Sequence, residues 1–197
     1  MIVIGLTGSI GMGKTIVANQ FTQFGAKTCS ADACVHELME KGGKAVCEIE
    51  KYFPEAIQNN AVDRKKLGQI VFADKRKLDV LEGVLHPLVM EMENRFIAKE
   101  KKLGAQLMVL DIPLLFETGG ENRVDYTVVV TAPYFIQKQR VMARKNMTEA
   151  KFKSIVSSQM SDRKKRSRAD FVIQTGLGKA YGFKQMKELA FNIRNIR

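Results

Sequence analysis

The run Gly8-Ser9-Ile10-Gly11-Met12-Gly13-Lys14-Thr15 constrains this chain more than any other stretch. It follows Ile2-Val3-Ile4-Gly5-Leu6-Thr7, which reads as a buried strand, and it opens onto a helical pattern. Strand, glycine-rich turn and helix is the order that a phosphate-binding loop of the form G-x-x-x-x-G-K-S/T requires. Gly8 and Gly13 can take backbone angles closed to residues with a Cβ, so main-chain N–H groups can close on an anion. Gly11, Met12 and Ile16 belong to the same cradle. Lys14 adds a point charge that reaches the outer phosphates, and the Thr15 hydroxyl is placed to ligate Mg²⁺. The bland alternative is a glycine-rich loop carrying a surface lysine.

After the loop, Ile16, Val17, Ala18, Phe21 and Phe24 fall at helical spacing, and Gly25 stops the helix. A short extended segment, 26–30, ends at Ala31-Asp32. An acid there lies at the carboxyl edge of the sheet, where open α/β sheets bind ligands. On the residues alone, Asp32 serves equally well as a helix N-cap ahead of Ala33. Residues 33–102 show no clear strand. Val35, Leu38 and Met39 give one helical face, Val46, Ile49 and Phe53 another, and Asp63 reads as a cap before Arg64. Pro87 suits the first turn of a helix, which puts His86 at a helix junction. The region reads as a helical insertion between the second and third strands, a place that suits a second substrate.

Leu107-Met108-Val109-Leu110 is a continuous apolar strand of the kind buried on both faces of a parallel sheet. It ends at Asp111, which has the character of a Walker-B acid near a metal or of an N-cap before Pro113. Leu114, Leu115 and Phe116 are core or pocket wall. A fourth strand covers Tyr126-Thr127-Val128-Val129-Val130, and Pro133 starts a helix in which Arg140 and Arg144 lie four apart and share a face. Another helix spans about 148–160. The basic run 162–168 reads as a hydrated loop, as a lid segment that touches ATP, or as a contact for nucleic acid. A last strand ends in Val172-Ile173, and Phe183, Met186, Leu189, Ala190 and Ile193 make one core stripe on a final helix.

The chain has 197 residues, a net charge of +11 and a pI near 9.6, so its partners are anionic. Nucleic acid and phosphorylated small molecules both satisfy that. Apolar residues make up 45%, enough for a core, yet no long uncharged apolar run suggests a membrane span. The first strand follows the initiator methionine with no basic leader, so a cytoplasmic protein is expected. Cys29, Cys34 and Cys47 lack C-x-x-C spacing and are expected as free thiols. Alternating strands and helices with a phosphate loop at the first turn give a three-layer α/β fold. The absence of an N-K-x-D motif argues against a GTPase, which leaves a small-molecule kinase.

Taken together, these residues resemble the dephospho-CoA kinase family nearly end to end. The matching positions are Gly5-Leu6-Thr7-Gly8, Gly13-Lys14-Thr15, Ala31-Asp32, Asp63-Arg64 with Leu67, Leu81-Glu82, Leu85-His86-Pro87, Asp111-Ile112-Pro113-Leu114-Leu115-Phe116-Glu117, Gln137 with Arg140, and Ala169-Asp170 with Val172-Ile173. The Leu-His-Pro element and the Pro-Leu-Leu-Phe-Glu run are far more specific than the phosphate loop. Two positions differ: the family often has Asp-Ala-Asp where this chain has Ser30-Ala31-Asp32, and commonly Asn where this chain has Gln174-Thr175.

The resemblance implies a single P-loop kinase domain with a five-stranded parallel sheet. It comprises a nucleotide-binding core (about 1–31, 103–139 and 169–197), a helical acceptor or CoA subdomain (about 32–102) and a helical lid (about 140–168). It implies ATP-dependent phosphorylation of the ribose 3′-hydroxyl of dephospho-CoA, the final step of coenzyme A biosynthesis, with Mg²⁺. Asp32 would be the base, with Lys14 and Arg140 completing the catalytic set. ATP would meet Gly8, Gly11, Met12, Gly13, Lys14, Thr15, Ile16 and Arg144. The acceptor would meet Asp32, His86, Leu114 and Phe116, and Thr15 would hold Mg²⁺ with Asp111 behind it. ATP and dephospho-CoA are then the expected partners of a monomer, without nucleic acid or membrane. Competing readings are another small kinase of the same fold, or a basic nucleic-acid-binding protein whose phosphate loop is incidental.

Overall fold

The computed structural model describes residues 1–195. In chain order its elements are β1 (Ile2–Thr7), α1 (Lys14–Gln23), β2 (Lys27–Ser30), α2 (Ala31–Met39), α3 (Lys44–Tyr52), β3 (Ile57–Gln58), β4 (Ala61–Val62), α4 (Arg64–Val71), α5 (Lys75–Lys102), β5 (Leu107–Asp111), β6 (Tyr126–Thr131), α6 (Tyr134–Met142), α7 (Glu149–Ser158), α8 (Asp162–Arg168), β7 (Phe171–Gln174) and α9 (Lys179–Asn195). The main sheet is parallel, five-stranded, and ordered β2-β5-β1-β6-β7. With β1 in the middle, the turn that follows it emerges between two neighbouring strand ends. The register sets Leu6 opposite both Asp111 and Val128, and the Ile112 N–H extends the ladder by donating to the Leu6 carbonyl at 2.9 Å. Alternation along each strand explains the two buried faces. Ile4, Leu6, Leu107, Val109, Val128, Val130 and Ile173 pack on one side with Val17 and Phe21 of α1 and Met186, Leu189 and Ile193 of α9. On the other side Leu115 comes so close to Gly5 that a Cβ there would lie 2.8 Å from it.

The chain divides into two compact units, residues 1–28 with 100 onward, and residues 29–99. The second is mainly helical, as the sequence suggested. Asp63 caps α4 by accepting from the N–H groups of Lys65 and Lys66, each at 3.0 Å. Leu67, Val71, Leu81, Leu85 and Val89 are buried. A cavity of about 530 Å³ is lined by apolar Leu38, Met92 and Phe96, by basic Lys41, Lys44, Arg95 and Lys99, and by acidic Glu37 and Glu40. The buried Cys29 and Cys34 thiols lie 3.6 Å apart. Their mutual hydrogen bond, together with burial, pushes the Cys29 thiol up, while the same bond lowers that of Cys34.

Five sequence expectations need correction. Residues 33–102 do hold strand: β3 and β4 pair antiparallel through Asn59 and Asn60, whose φ values of 53° and 59° suit a tight hairpin turn. Pro87 does not start a helix. It lies inside the 28-residue α5, so His86 sits exposed within that helix and not at a junction. A proline there removes one bond to the carbonyl four residues back, which belongs to Gly83, a residue with open space beside it. Asp111 caps no helix, because turns follow it. Arg144 shares no helical face with Arg140, since α6 ends at Met142 and Arg144 falls in the turn beyond.

The fifth correction concerns the basic run. It is no hydrated loop but α8, capped by Ser161. Lys165 of that helix is fully buried, with Nζ 3.0 Å from the Pro113 carbonyl and 3.0 Å from the Glu117 carboxylate. Glu117 also accepts the Met160 N–H at 2.8 Å. Among the described residues, no helix is long and apolar enough to cross a membrane.

Removing one partner of a buried ion pair strands the other charge. Lys165→Met is therefore expected to cost about 3 kcal/mol in urea unfolding, near the low end because Glu117 keeps some solvent contact. Adding Glu117→Gln should return part of that loss; if the double variant is less stable than the single one, the pair is not the cause.

Candidate active site

The turn between β1 and α1 is built from backbone that resists a side chain at three points. Gly13 has φ +90° and ends the turn as the N-cap of α1. Gly8 is not in the left-handed region; its need is steric, since a Cβ there would stand 2.6 Å from the Val130 carbonyl oxygen. The expectation of unusual backbone angles at both glycines therefore holds for Gly13 and not for Gly8. The left-handed partner of Gly13 is instead Gly11, with φ +77°. The Ile16 and Val17 N–H groups donate back to the Gly13 carbonyl at 3.1 and 3.3 Å, while those of Lys14 and Thr15 precede the first such bond, at the positive end of the helix dipole.

Side chains from distant parts of the chain hold this turn. Gln137 of α6, almost fully buried, donates to the Ile10 carbonyl at 2.8 Å. The Gln159 side-chain oxygen accepts the Ile10 N–H at 3.1 Å. Met12 is buried, and its sulfur receives the Ala132 N–H at 3.1 Å. The Thr175 hydroxyl donates to the Met12 carbonyl at 2.6 Å. Sequence reasoning placed Gln137 in a motif but missed what it and Gln159 do. A neutral side chain on a helix carries no local sign that it will meet a turn more than a hundred residues away.

The charged groups are arranged around the same turn. Lys14 pairs with Asp111, both largely covered, so the end of β5 presents its acid directly to the loop lysine. Arg140 sits one turn beyond Gln137 on α6. Its Nη1 donates to the Thr175 hydroxyl at 2.9 Å and lies 3.5 Å from the Gly11 carbonyl, and its Nη2 donates to the Thr175 carbonyl at 2.8 Å. Thr15 and Ile16 are exposed in the first turn of α1. Lys14, Asp111, Thr15 and Arg140 therefore converge on one loop, while Arg144 remains in solvent.

Past β5, Leu114 is half-buried, whereas Phe116 is 5% exposed with the Arg168 guanidinium 4.9 Å from its ring centre. In the 29–99 unit, Asp32 occupies the first turn of α2 and is exposed. Ser30 is the N-cap, its hydroxyl accepting the Ala33 N–H at 3.3 Å. The capping task is thus met without Asp32, whose carboxylate has no hydrogen-bond or ion-pair partner among the described residues.

A family model described as dephospho-CoA kinase (CoaE) matches residues 2–178. A dephospho-CoA kinase of Bartonella henselae is 52% identical over 176 residues, 89% of this chain and 90% of that protein. One from Brucella melitensis is 50% identical over 175 residues, 89% and 86% of the two chains. A crystal structure of a Thermus thermophilus protein superposes with a TM-score of 0.84 at 32% identity, covering 97% of this chain and 96% of the other. A dephospho-CoA kinase from Campylobacter jejuni does so with a TM-score of 0.73 at 26% identity over the same shares.

Gly13→Ala would force a Cβ into the left-handed region, 3.2 Å from the Thr175 hydroxyl. The expected cost is about 1–3 kcal/mol, read as a lower midpoint in thermal or urea unfolding. An unchanged midpoint would show that the turn relaxes to another shape.

Proposed function

The chain belongs to the dephospho-CoA kinase family, and on that premise we propose how its residues share the transfer of a phosphoryl group from ATP. The reaction is phosphorylation of dephospho-CoA, the final step of coenzyme A biosynthesis. The observation that carries the proposal is the convergence of Lys14, Arg140 and the α1 N-terminus on one turn. Phosphoryl transfer passes through a loose transition state, so the protein's work is positioning and charge neutralisation more than covalent chemistry. Main-chain N–H groups of the turn cradle the phosphates, and Lys14 shifts its charge from Asp111 to the outer phosphate oxygens. Arg140 offsets the negative charge on the group in flight.

ATP-using kinases work with a divalent cation. The Thr15 hydroxyl and the Asp111 carboxylate are hard oxygen donors, and among the described residues no cluster of three or more His, Cys, Asp or Glu offers an all-protein cage. That donor set fits Mg²⁺, which takes few protein ligands and keeps the rest for water and phosphate. When bound, it would neutralise charge on the phosphate oxygens. Thr15 and Asp111 would hold it, and Asp111 would leave Lys14 free to turn to the nucleotide.

Asp32 is the proposed base. Its carboxylate takes the proton of the ribose 3′-hydroxyl as that oxygen bonds to the γ-phosphorus and the bond to the bridging oxygen of ADP breaks. Two features support this: Ser30 has taken the capping role, and the carboxylate is exposed and unengaged. The 29–99 unit is proposed to take the acceptor; its cavity, with apolar side chains beside four basic and two acidic ones, offers room for a long molecule that is part apolar and part polar. Residues 140–168 are proposed as the lid, and His86, Leu114 and Phe116 as acceptor contacts.

Incubation with ATP, Mg²⁺ and a panel of alcohol acceptors should release ADP above the water blank with dephospho-CoA alone among nucleoside, sugar and cofactor alcohols. Asp32→Asn is expected to cut turnover at least ~10²-fold with ATP affinity nearly unchanged. Near-native turnover in that variant would remove Asp32 as the base. Arg140→Ala should lower kcat by ~10³-fold while changing ATP affinity far less. The reverse split would assign Arg140 to ground-state binding.

A further inference from the structure

Thr175 lies one residue past β7. Its main chain still follows the sheet, with its N–H donating to the Thr131 carbonyl at 2.9 Å. The next residue, Gly176, passes so close to Pro133 that a Cβ would stand 2.4 Å from the proline ring. The strand end is thus pinned against the start of α6, the helix that carries Arg140. Thr175 itself is only 9% exposed.

A hydroxyl has one proton to give and lone pairs to receive with. The Thr175 Oγ1 is 2.6 Å from the Met12 carbonyl and 3.3 Å from that of Thr131, so its proton goes to Met12. Its lone pairs then face the Arg140 Nη1 donor at 2.9 Å, and the Thr175 carbonyl receives Nη2 at 2.8 Å. A relay runs from guanidinium to hydroxyl to the backbone of the phosphate loop. It grips one edge of the guanidinium in two places, which leaves the second Nη2 hydrogen and the Nε–H for phosphate oxygens. An arginine side chain is otherwise long and rotamer-rich, and a transition-state charge placed loosely is worth little.

We propose that Thr175 is the positioning residue for Arg140, clamping its guanidinium to the backbone of the phosphate loop before substrates arrive. This rests on the reading of Arg140 as the residue that offsets charge on the transferring group. Thr175 acts through that arginine and touches no substrate.

The test uses the full-length protein with steady-state kinetics of ADP release. Thr175→Val keeps the shape and removes the hydroxyl. It should lower kcat at least ~10-fold with KM for dephospho-CoA within ~2-fold, since the loss is of orientation. Thr175→Ser, which restores the donor and acceptor, should return kcat to within ~3-fold of the native value. Combined with Arg140→Ala, the valine change should add no further loss, because the two residues act as a unit. The proposal is overturned by native-like kcat in Thr175→Val, by a serine variant no better than valine, or by losses that multiply in the double variant. If valine does not fold by circular dichroism, Thr175→Ala is read in its place; failure of both to fold marks the hydroxyl as purely structural and also overturns the proposal. An Arg140→Ala variant with native turnover would sink the Arg140 reading itself, whereas a crippled Arg140→Ala beside an intact Thr175→Val sinks the clamp alone.

Discussion

A turn that must receive several negative charges cannot be held together by the groups that will bind them. The loop after β1 meets this constraint by keeping the N–H groups of Lys14 and Thr15 outside the bonds that begin α1 and by fastening its carbonyls elsewhere. The Ile10 carbonyl goes to Gln137 and the Met12 carbonyl to Thr175. The fastening groups come from α6 and from the strand end at residue 175, which lie beside the loop because β6 and β7 follow β1 in the sheet. Buried carbonyls need partners as much as N–H groups do, so these side chains fix the loop's shape without competing for anions. The close approach of Gly8 to Val130 follows from the same packing.

Charge is distributed by a similar logic. In a chain with a net charge of +11, cations near the loop would repel one another and drift toward solvent if left alone. Asp111 holds Lys14, Thr175 holds Arg140, and Glu117 holds Lys165 where the turn after β5 meets α8. The carboxylate of Asp111 is a partner that phosphate oxygens can replace, whereas Thr175 occupies only one edge of the Arg140 guanidinium. The third is sealed: Lys165 has no exposure and is already satisfied by a carboxylate and a carbonyl. Three basic residues thus carry different duties, and burial and partner, more than residue type, separate them.

The start of α2 divides its work between two neighbouring polar residues. A serine at residue 30 supplies the oxygen that an N-cap requires, and the acid two positions on is left with an unengaged carboxylate at the positive end of its helix.

Much of this was legible in residue order. Strand alternation, helical spacing, the Gly-Lys-Thr turn and the Asp63 cap are local patterns, and each fixes backbone shape within a few residues. They sufficed for the sheet, the helical insertion and the phosphate loop, and the resemblance they carried was to the family that the comparisons show. What failed were readings that treated local chemistry as decisive. Pro87 lies inside a helix because neighbouring turns on both sides bury Leu85 and Val89. The run at 162–168 is a helix that buries one of its lysines against the carboxylate of Glu117. The roles of Gln137, Gln159 and Thr175 exist only once separate strands are laid side by side. Residue order determined which elements form, since that depends on near neighbours; tertiary structure alone decided which polar group meets which, because those partners are brought together by the sheet and not by the chain.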